Sequence, residues 1–191
     1  MSTSSSDPDP ALRTDAQQNR RRIVEIARRA FAHDASATMQ SIARAAGVGQ
    51  GTLYRRFPTR EALLVEVYRE DFERLTAAAG VLLAEHPPVE ALRRWFDELA
   101  AFGHLKHALS SVLDAVTRAE LHDDQYDRIL AAVGQLLDAG KASGELRADV
   151  APDEVFPLLA FLWHVPPQSD ERTGHLLDLV LDGLREPRRS T

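Results

Sequence analysis

Apolar residues recur at helical spacing along almost the whole chain. Ile23, Ala27, Ala30 and Phe31 fall at i, i+4, i+7 and i+8, one face of a helix. Arg20, Arg21, Arg22, Arg28 and Arg29 occupy its other faces, and Thr14 to Gln17 reads as a capping box. A first helix from about Asp15 to His33 is expected. Thr38 is placed to cap a short second helix, Met39 to Ala46, with Ile42, Ala43 and Ala46 inward. Gly47 is a left-handed stop and Val48 lies in the turn. A third helix runs from Gly49 or Gln50 to Phe57, where Pro58 blocks continuation. Thr59 then caps a long helix reaching about Glu85.

Beyond Pro87 and Pro88, the residues Leu92, Trp95, Phe96, Leu99 and Phe102 mark an amphipathic helix that Gly103 should interrupt. Leu105 to Leu121 and Asp124 to Ser143 read as two more helices, the second closed by Gly144. Pro152 opens another, with Pro157 expected to kink or delay it. Val165-Pro166-Pro167 stops that helix, and Ser169 caps a last one with Leu177, Val180, Leu181 and Leu184 along one face. No run of alternating β-branched residues appears. The expected fold is all-α, with about nine helices. Residues 1–13, rich in Ser, Asp and Pro, are expected to be a disordered tail.

Composition narrows the class. The chain has 191 residues, 44% of them hydrophobic, enough for one large or two small domains. It has no cysteine, which removes disulfides, thiolate metal sites and cysteine nucleophiles. No apolar run approaches membrane length and the first ten residues lack a signal-peptide core, so a cytoplasmic location without membrane contact is expected. The net charge of −6 argues at first against nucleic acid. Split at residue 60, however, the head carries ten Arg against five acids, a net of +5. The remainder carries 13 Lys or Arg against 24 acids, a net of −11. A basic end is a pointer to a nucleic-acid-facing region, though many solvated helix faces are basic too.

The segment from Thr38 to Leu64 supplies the chemistry. Two short helices joined by Gly47-Val48 have the length of a helix-turn-helix. Packing Ile42, Ala43, Ala46, Val48 and Leu53 inward leaves Gln50, Thr52, Tyr54, Arg55 and Arg56 outward. Arg donates two bonds to guanine, and Gln pairs with adenine in both directions. Thr touches a thymine methyl or a phosphate, and Tyr hydroxyls commonly hold phosphates. Gly49 and Gly51 let a sugar-phosphate chain come close. Phe57 reads as core, and Tyr54 as a packed ring with its hydroxyl outward. Arg20 to Arg22 is either a phosphate-facing helix start or a solvated face.

The run Met39 to Leu64, with its ungapped IA..AGV..GTLYR.FP.REAL order, resembles the DNA-binding signature of TetR/AcrR-type transcriptional regulators. The resemblance covers about residues 17–66. Gly49 and Gln50 stand where the family often has Ser or Thr and then Lys. The resemblance implies base contacts from Gln50, Thr52 and Arg55. It implies phosphate contacts from Thr38, Tyr54, Arg56, Thr59 and Arg60, with Ser41 and Arg44 as further candidates. It divides the chain into a helix-turn-helix domain, 14–66, and a helical effector-binding and dimerisation domain, 67–187.

In that second domain Trp95, Phe96, Phe102, His107, Phe161 and Trp163 are candidates to line an effector pocket, or else simply fill core. His104 and His107, at i and i+3, could face one metal, but no third ligand is placed, so neither metal nor cofactor is expected. Leu158, Leu162, Leu177, Val180, Leu181 and Leu184 exceed what one terminal helix pair buries. They either form a homodimer interface or pack within the chain. The function expected is a one-component regulator, a repressor, binding a near-palindromic double-stranded operator as a homodimer and released by a small molecule. A helical protein-interaction module built on a helix-turn-helix scaffold is the alternative. An enzyme is not expected, because no nucleophile-base-orienter set or phosphate-binding loop is present.

Overall fold

A computed structural model describes residues 10–34, 36–110, 125–163 and 170–186, with side chains described over 17–34, 36–103, 125–162 and 171–186. Among them are eight α-helices and one 3-10 turn. The helices are α1 (Pro10–His33), α2 (Met39–Ala45), α3 (Gln50–Arg56), α4 (Arg60–Glu85), α5 (Pro88–Ser110), α6 (Gln125–Ala142), α7 (Pro152–Leu158) and α8 (Asp170–Leu184); the 3-10 turn is Ala160–Trp163. The single β-type pairing among the described residues is an isolated bridge between Leu146 and Arg185. No helix of the described residues is long and apolar enough to cross a membrane.

The chain divides into two compact units at Val67/Tyr68, within α4. In unit 1, α2 packs on α1 and α3. Ile23, Val24, Ala27, Phe31, Ile42, Ala43, Ala46, Leu53 and Phe57 are buried. In unit 2, α5 is the hub, touching α6, the 3-10 turn and α8. Trp95, Phe96, Leu92 and Leu99 on α5 are fully buried, and the Trp95 indole N–H donates to the Leu75 carbonyl at 2.9 Å. Tyr68 and Phe72 stack on Phe102, at 5.0 and 6.0 Å between ring centres. Burial pushes the Tyr68 phenol up to about 12, and its hydroxyl donates to Gln125 Oε1 at 2.7 Å.

Three expectations need correction. Helix α1 begins at Pro10, so residues 10–13 of the expected tail are helical and Thr14 lies inside the helix rather than capping it. Gly103 does not interrupt α5, which continues to Ser110. A mid-helix glycine costs only about 1 kcal/mol, and Gly103 sits on a buried face where packing outweighs that. Pro157 ends α7 almost at once: the helix stops at Leu158 and the chain tightens into 3-10 geometry. The expected Leu105 to Leu121 helix begins as the end of α5, and its remainder lies outside the described residues, as do the Val165-Pro166-Pro167 stop and the Ser169 cap.

Gly140 and Gly144 show how tightly unit 2 closes. Gly144 is left-handed (φ 73°), and the N–H groups of Gly144 and Glu145 bond back to Lys141 and Gly140 at 3.0 and 3.1 Å, a Schellman stop for α6. The returning Leu146 N–H also bonds Gly140, holding the leucine against the helix. A Cβ on Gly140 would lie 2.3 Å from Leu146 Cδ1 and 2.6 Å from its Cγ. Gly140→Ala is therefore expected to destabilise the protein by about 1–2 kcal/mol, because overpacking outweighs the roughly 1 kcal/mol gained in helix propensity. Chemical denaturation checks it; an unchanged or raised midpoint would contradict the packing described.

Candidate nucleic-acid interface

The turn between α2 and α3 is built by local chemistry. Thr38 caps α2 by accepting the Ser41 N–H at 3.2 Å, and the Ser41 hydroxyl donates to the Thr38 carbonyl at 2.8 Å. At the other end Gly47 is left-handed (φ 63°). The Gly47 N–H bonds Arg44 and the Val48 N–H bonds Ala43, at 3.1 and 3.0 Å, again a Schellman motif. The chain then enters α3 through Gly49, which is extended and offers no side-chain cap. Leu53 is fully buried and Phe57, one turn on, nearly so. Pro58 follows, and Thr59 starts α4 by accepting the Ala62 N–H at 3.1 Å.

Two buried points at i and i+4 fix which side of α3 faces out. Gln50 and Arg55 are exposed, and Thr52 and Arg56 are partly exposed. Arg55 Nη2 donates to the Thr52 hydroxyl at 3.2 Å, so the pair presents one linked donor group. Tyr54 is not packed as expected: it is 47% exposed, because it follows Leu53 and lies off the inward line of Leu53 and Phe57. On α2, Ser41 and Arg44 are exposed. Gln50, Thr52, Tyr54 and Arg55 of α3 and Ser41 and Arg44 of α2 are thus all at least partly open to solvent.

Two arginines are engaged elsewhere. Arg60 donates from Nε to the Ala37 carbonyl at 3.1 Å and lays its guanidinium over Phe31 at 5.0 Å. Its first role is to close unit 1. Arg20 pairs with Glu66 at 2.6 Å and lies over Phe57 at 5.1 Å. The basic run is thus split by its own packing, since Arg21 and Arg22 are exposed. A polar groove of about 570 Å³ runs between α1 and the turn, lined by Gln18, Asn19, Arg22, Gly47, Val48, Gly49 and Thr52. Its α1 wall is a part of the surface that sequence reasoning left undecided. The available signal was a polar i, i+1, i+4 set beside the apolar Ile23 stripe.

In unit 2 the structure redistributes the candidates. Trp95 and Phe96 are fully buried, with no water-sized gap against either ring, so they fill core rather than line an open pocket. Phe102 is buried against Tyr68 and Phe72. Phe161 is partly exposed, while the side chains of His104, His107 and Trp163 lie outside the described residues. Leu162, Leu177, Leu181 and Leu184 are buried within the chain itself. Leu158, by contrast, is 55% exposed, and so is Leu179, which periodicity on the Leu177 face passed over. Helix α8 carries a second stripe at Leu176, Leu179, Val180 and Gly183, spaced i, i+3, i+4 and i+7. With Leu158 and Phe161 this stripe lines an open groove of about 400 Å³. Among the described residues no three His, Asp or Glu side chains group as a metal site.

A three-helix head whose short third helix is anchored by one face and polar on the other, set in an all-helical chain, is the architecture of a helix-turn-helix regulator. Residues 23–67 match the family described as bacterial regulatory proteins, tetR family, and residues 87–186 match the C-terminal domain of the SbtR-like transcriptional regulators. The chain belongs to the TetR family of transcriptional regulators. It is similar to the crystal structure of a TetR transcriptional regulator from Streptomyces coelicolor, at 40% identity and a TM-score of 0.77, covering 88% of this chain and 99% of that one. It is also similar to a TetR regulatory protein from Mycobacterium vanbaalenii, at 34% identity and a TM-score of 0.72, covering 92% and 99%. A curated HTH-type transcriptional regulator of Staphylococcus aureus is 39% identical over 64 residues, which span 32% of this chain and 35% of that protein's length. As a member of a family of transcriptional regulators the chain is not an enzyme, as its sequence predicts.

Arg60→Ala removes both a hydrogen bond and a ring contact, and is expected to lower stability by about 1–2 kcal/mol. Arg44→Ala, at an exposed position, should stay within about 0.5 kcal/mol of the parent. Denaturant midpoints compare the two, and equal midpoints would show that the Arg60 contacts contribute nothing.

Proposed function

We propose that the protein is a ligand-responsive transcriptional repressor that binds a near-palindromic operator as a homodimer. The observation that carries DNA binding is the outward presentation of Gln50, Thr52, Tyr54 and Arg55 on a two-turn helix held by Leu53 and Phe57. Arg55 and Gln50 read base edges in the major groove. Tyr54, Ser41 and Arg44 hold phosphates, with Thr38, Arg56, Thr59 and Arg60 as further phosphate contacts. Thr38 and Thr59 already act as helix caps, so a phosphate would share their hydroxyls.

The dimer reading rests on the second α8 stripe. An open apolar groove next to Leu158 and Leu179 suits the same surface of another copy related by a two-fold axis. Two heads on such an axis would meet half-sites about 34 Å apart on one side of the duplex. The effector would bind within unit 2, where the Tyr68, Phe72 and Phe102 rings are buried together and would have to part to admit it. Helix α4 spans the division between the units, so a ligand that favours another placement of its unit 2 portion changes the DNA-binding head through continuous backbone. A hundredfold preference for that state corresponds to about 2.7 kcal/mol of coupling.

Selection of bound duplexes from random DNA, followed by titration across salt concentrations, tests the reading. Arg55→Ala should lose about tenfold or more on the selected duplex and relax base preference, while Arg44→Ala should weaken selected and scrambled duplexes alike. Binding without salt dependence would instead mark a protein-interaction module. Leu179→Arg should give a monomer in sedimentation and lose operator binding with it; a stable dimer would remove the α8 groove from the interface.

A further inference from the structure

We propose that the groove between α1 and the helix-turn-helix turn is a phosphate seat, in which Arg22 and Asn19 hold a backbone phosphate of the DNA while Gly47 and Gly49 let the sugar-phosphate chain approach. The proposal rests on the DNA-binding reading above and adds a wall to it that no base-reading or capping residue supplies.

The arginines of α1 separate by partner. Arg20 is tied to Glu66, and Arg28 and Arg29 both bond Glu25, at 2.6 and 2.9 Å. Arg22 has no acidic partner among the described residues. Its Nη2 donates to Asn19 Oδ1 at 3.2 Å, one helical turn back. That bond takes up the acceptor of Asn19 and leaves its amide N–H groups to donate. The groove is thus lined by guanidinium and amide donors, the Thr52 hydroxyl and the Gln18 amide, with no carboxylate. A donor-rich, cationic lining without an acid complements a group that is anionic and only accepts, which is a phosphate oxygen rather than a base edge of mixed donors and acceptors. Space agrees with charge. A Cβ on Gly47 or Gly49 would meet nothing within 4 Å, so the floor beneath Arg22 is open backbone. Thr52, on the far wall, links the seat to Arg55 through its hydroxyl. A phosphate held there would set the depth at which α3 enters the groove.

The test uses the full-length protein, a duplex selected from random DNA and a scrambled duplex of the same length and composition. Arg22→Ala is expected to weaken both duplexes by about the same factor, roughly tenfold, and to reduce the slope of log affinity against log salt by about one. Arg22→Lys should keep the slope, because the charge remains. Arg29→Ala, which removes a cation paired with Glu25 on another part of α1, should leave the slope unchanged. Unaltered thermal unfolding of each variant shows that the head is intact. An unchanged slope in Arg22→Ala, with parent DNA binding normal, overturns the proposal and leaves the regulator reading standing; absence of DNA binding by the parent defeats that reading instead. Saturation of the parent by inorganic phosphate alone, lost in Arg22→Ala while DNA binding is indifferent to Arg22, also overturns it and assigns a free-anion site.

Discussion

Leu53 and Phe57 are the constraint on which the DNA-facing head depends. Helix α3 has only seven residues, too few to hold its shape without tertiary support. Its position follows from two buried side chains one turn apart. Once these are seated on α1 and α2, every other residue of the helix must lie sideways or outward. The small side chains of Ala43 and Ala46 permit the close approach, and the left-handed Gly47 turns the chain without a side chain to strain. Polar presentation on α3 is therefore a consequence of apolar anchoring rather than a separate feature.

Unit 2 depends on a different device. Helix α5 places its large aromatic residues against neighbours on several sides, so the rings that looked available for a ligand are consumed as core. Polar pairs then tie the helices at the rim. Arg128 holds Glu73 with two bonds, at 2.8 and 2.6 Å, and lies over Phe72, while Arg93 reaches Asp178 at 2.6 Å. These exposed pairs contribute little energy each, and they link α6 to α4 and α8 to α5. Apolar surface that the described residues leave open includes the groove of Leu176, Leu179 and Val180.

The head was largely legible because its signals are local. Thr38, Gly47 and Thr59 each terminate or start a helix through bonds to residues three positions away, and Pro58 ends α3 by restricting the backbone of Phe57. Hence the ends of α2 and α3 lie within a residue of expectation. Arg20 and Arg60 were not legible. Their partners, Glu66, Phe57, Ala37 and Phe31, are distant in sequence, and nothing in an arginine's neighbourhood along the chain says whether it will be spent on packing. The outward place of Tyr54 was legible, but the packing expected of its ring was not met, because it depended on neighbours that leave the residue 47% exposed.

The amino-acid order was sufficient for an all-helical chain, for a basic head on an acidic body, and for a helix-turn-helix with its caps and turn in place. Periodicity, capping and glycine placement act over a few residues, and each leaves a mark that can be read directly. Which apolar face is covered, and by what, is a long-range matter. Leu177 and Leu179 are two positions apart on one helix, and only the approach of neighbouring helices buries the first and leaves the second exposed. The same holds for Arg20 and Arg22, where the fold spends one cation on Glu66 and turns the other toward an open groove.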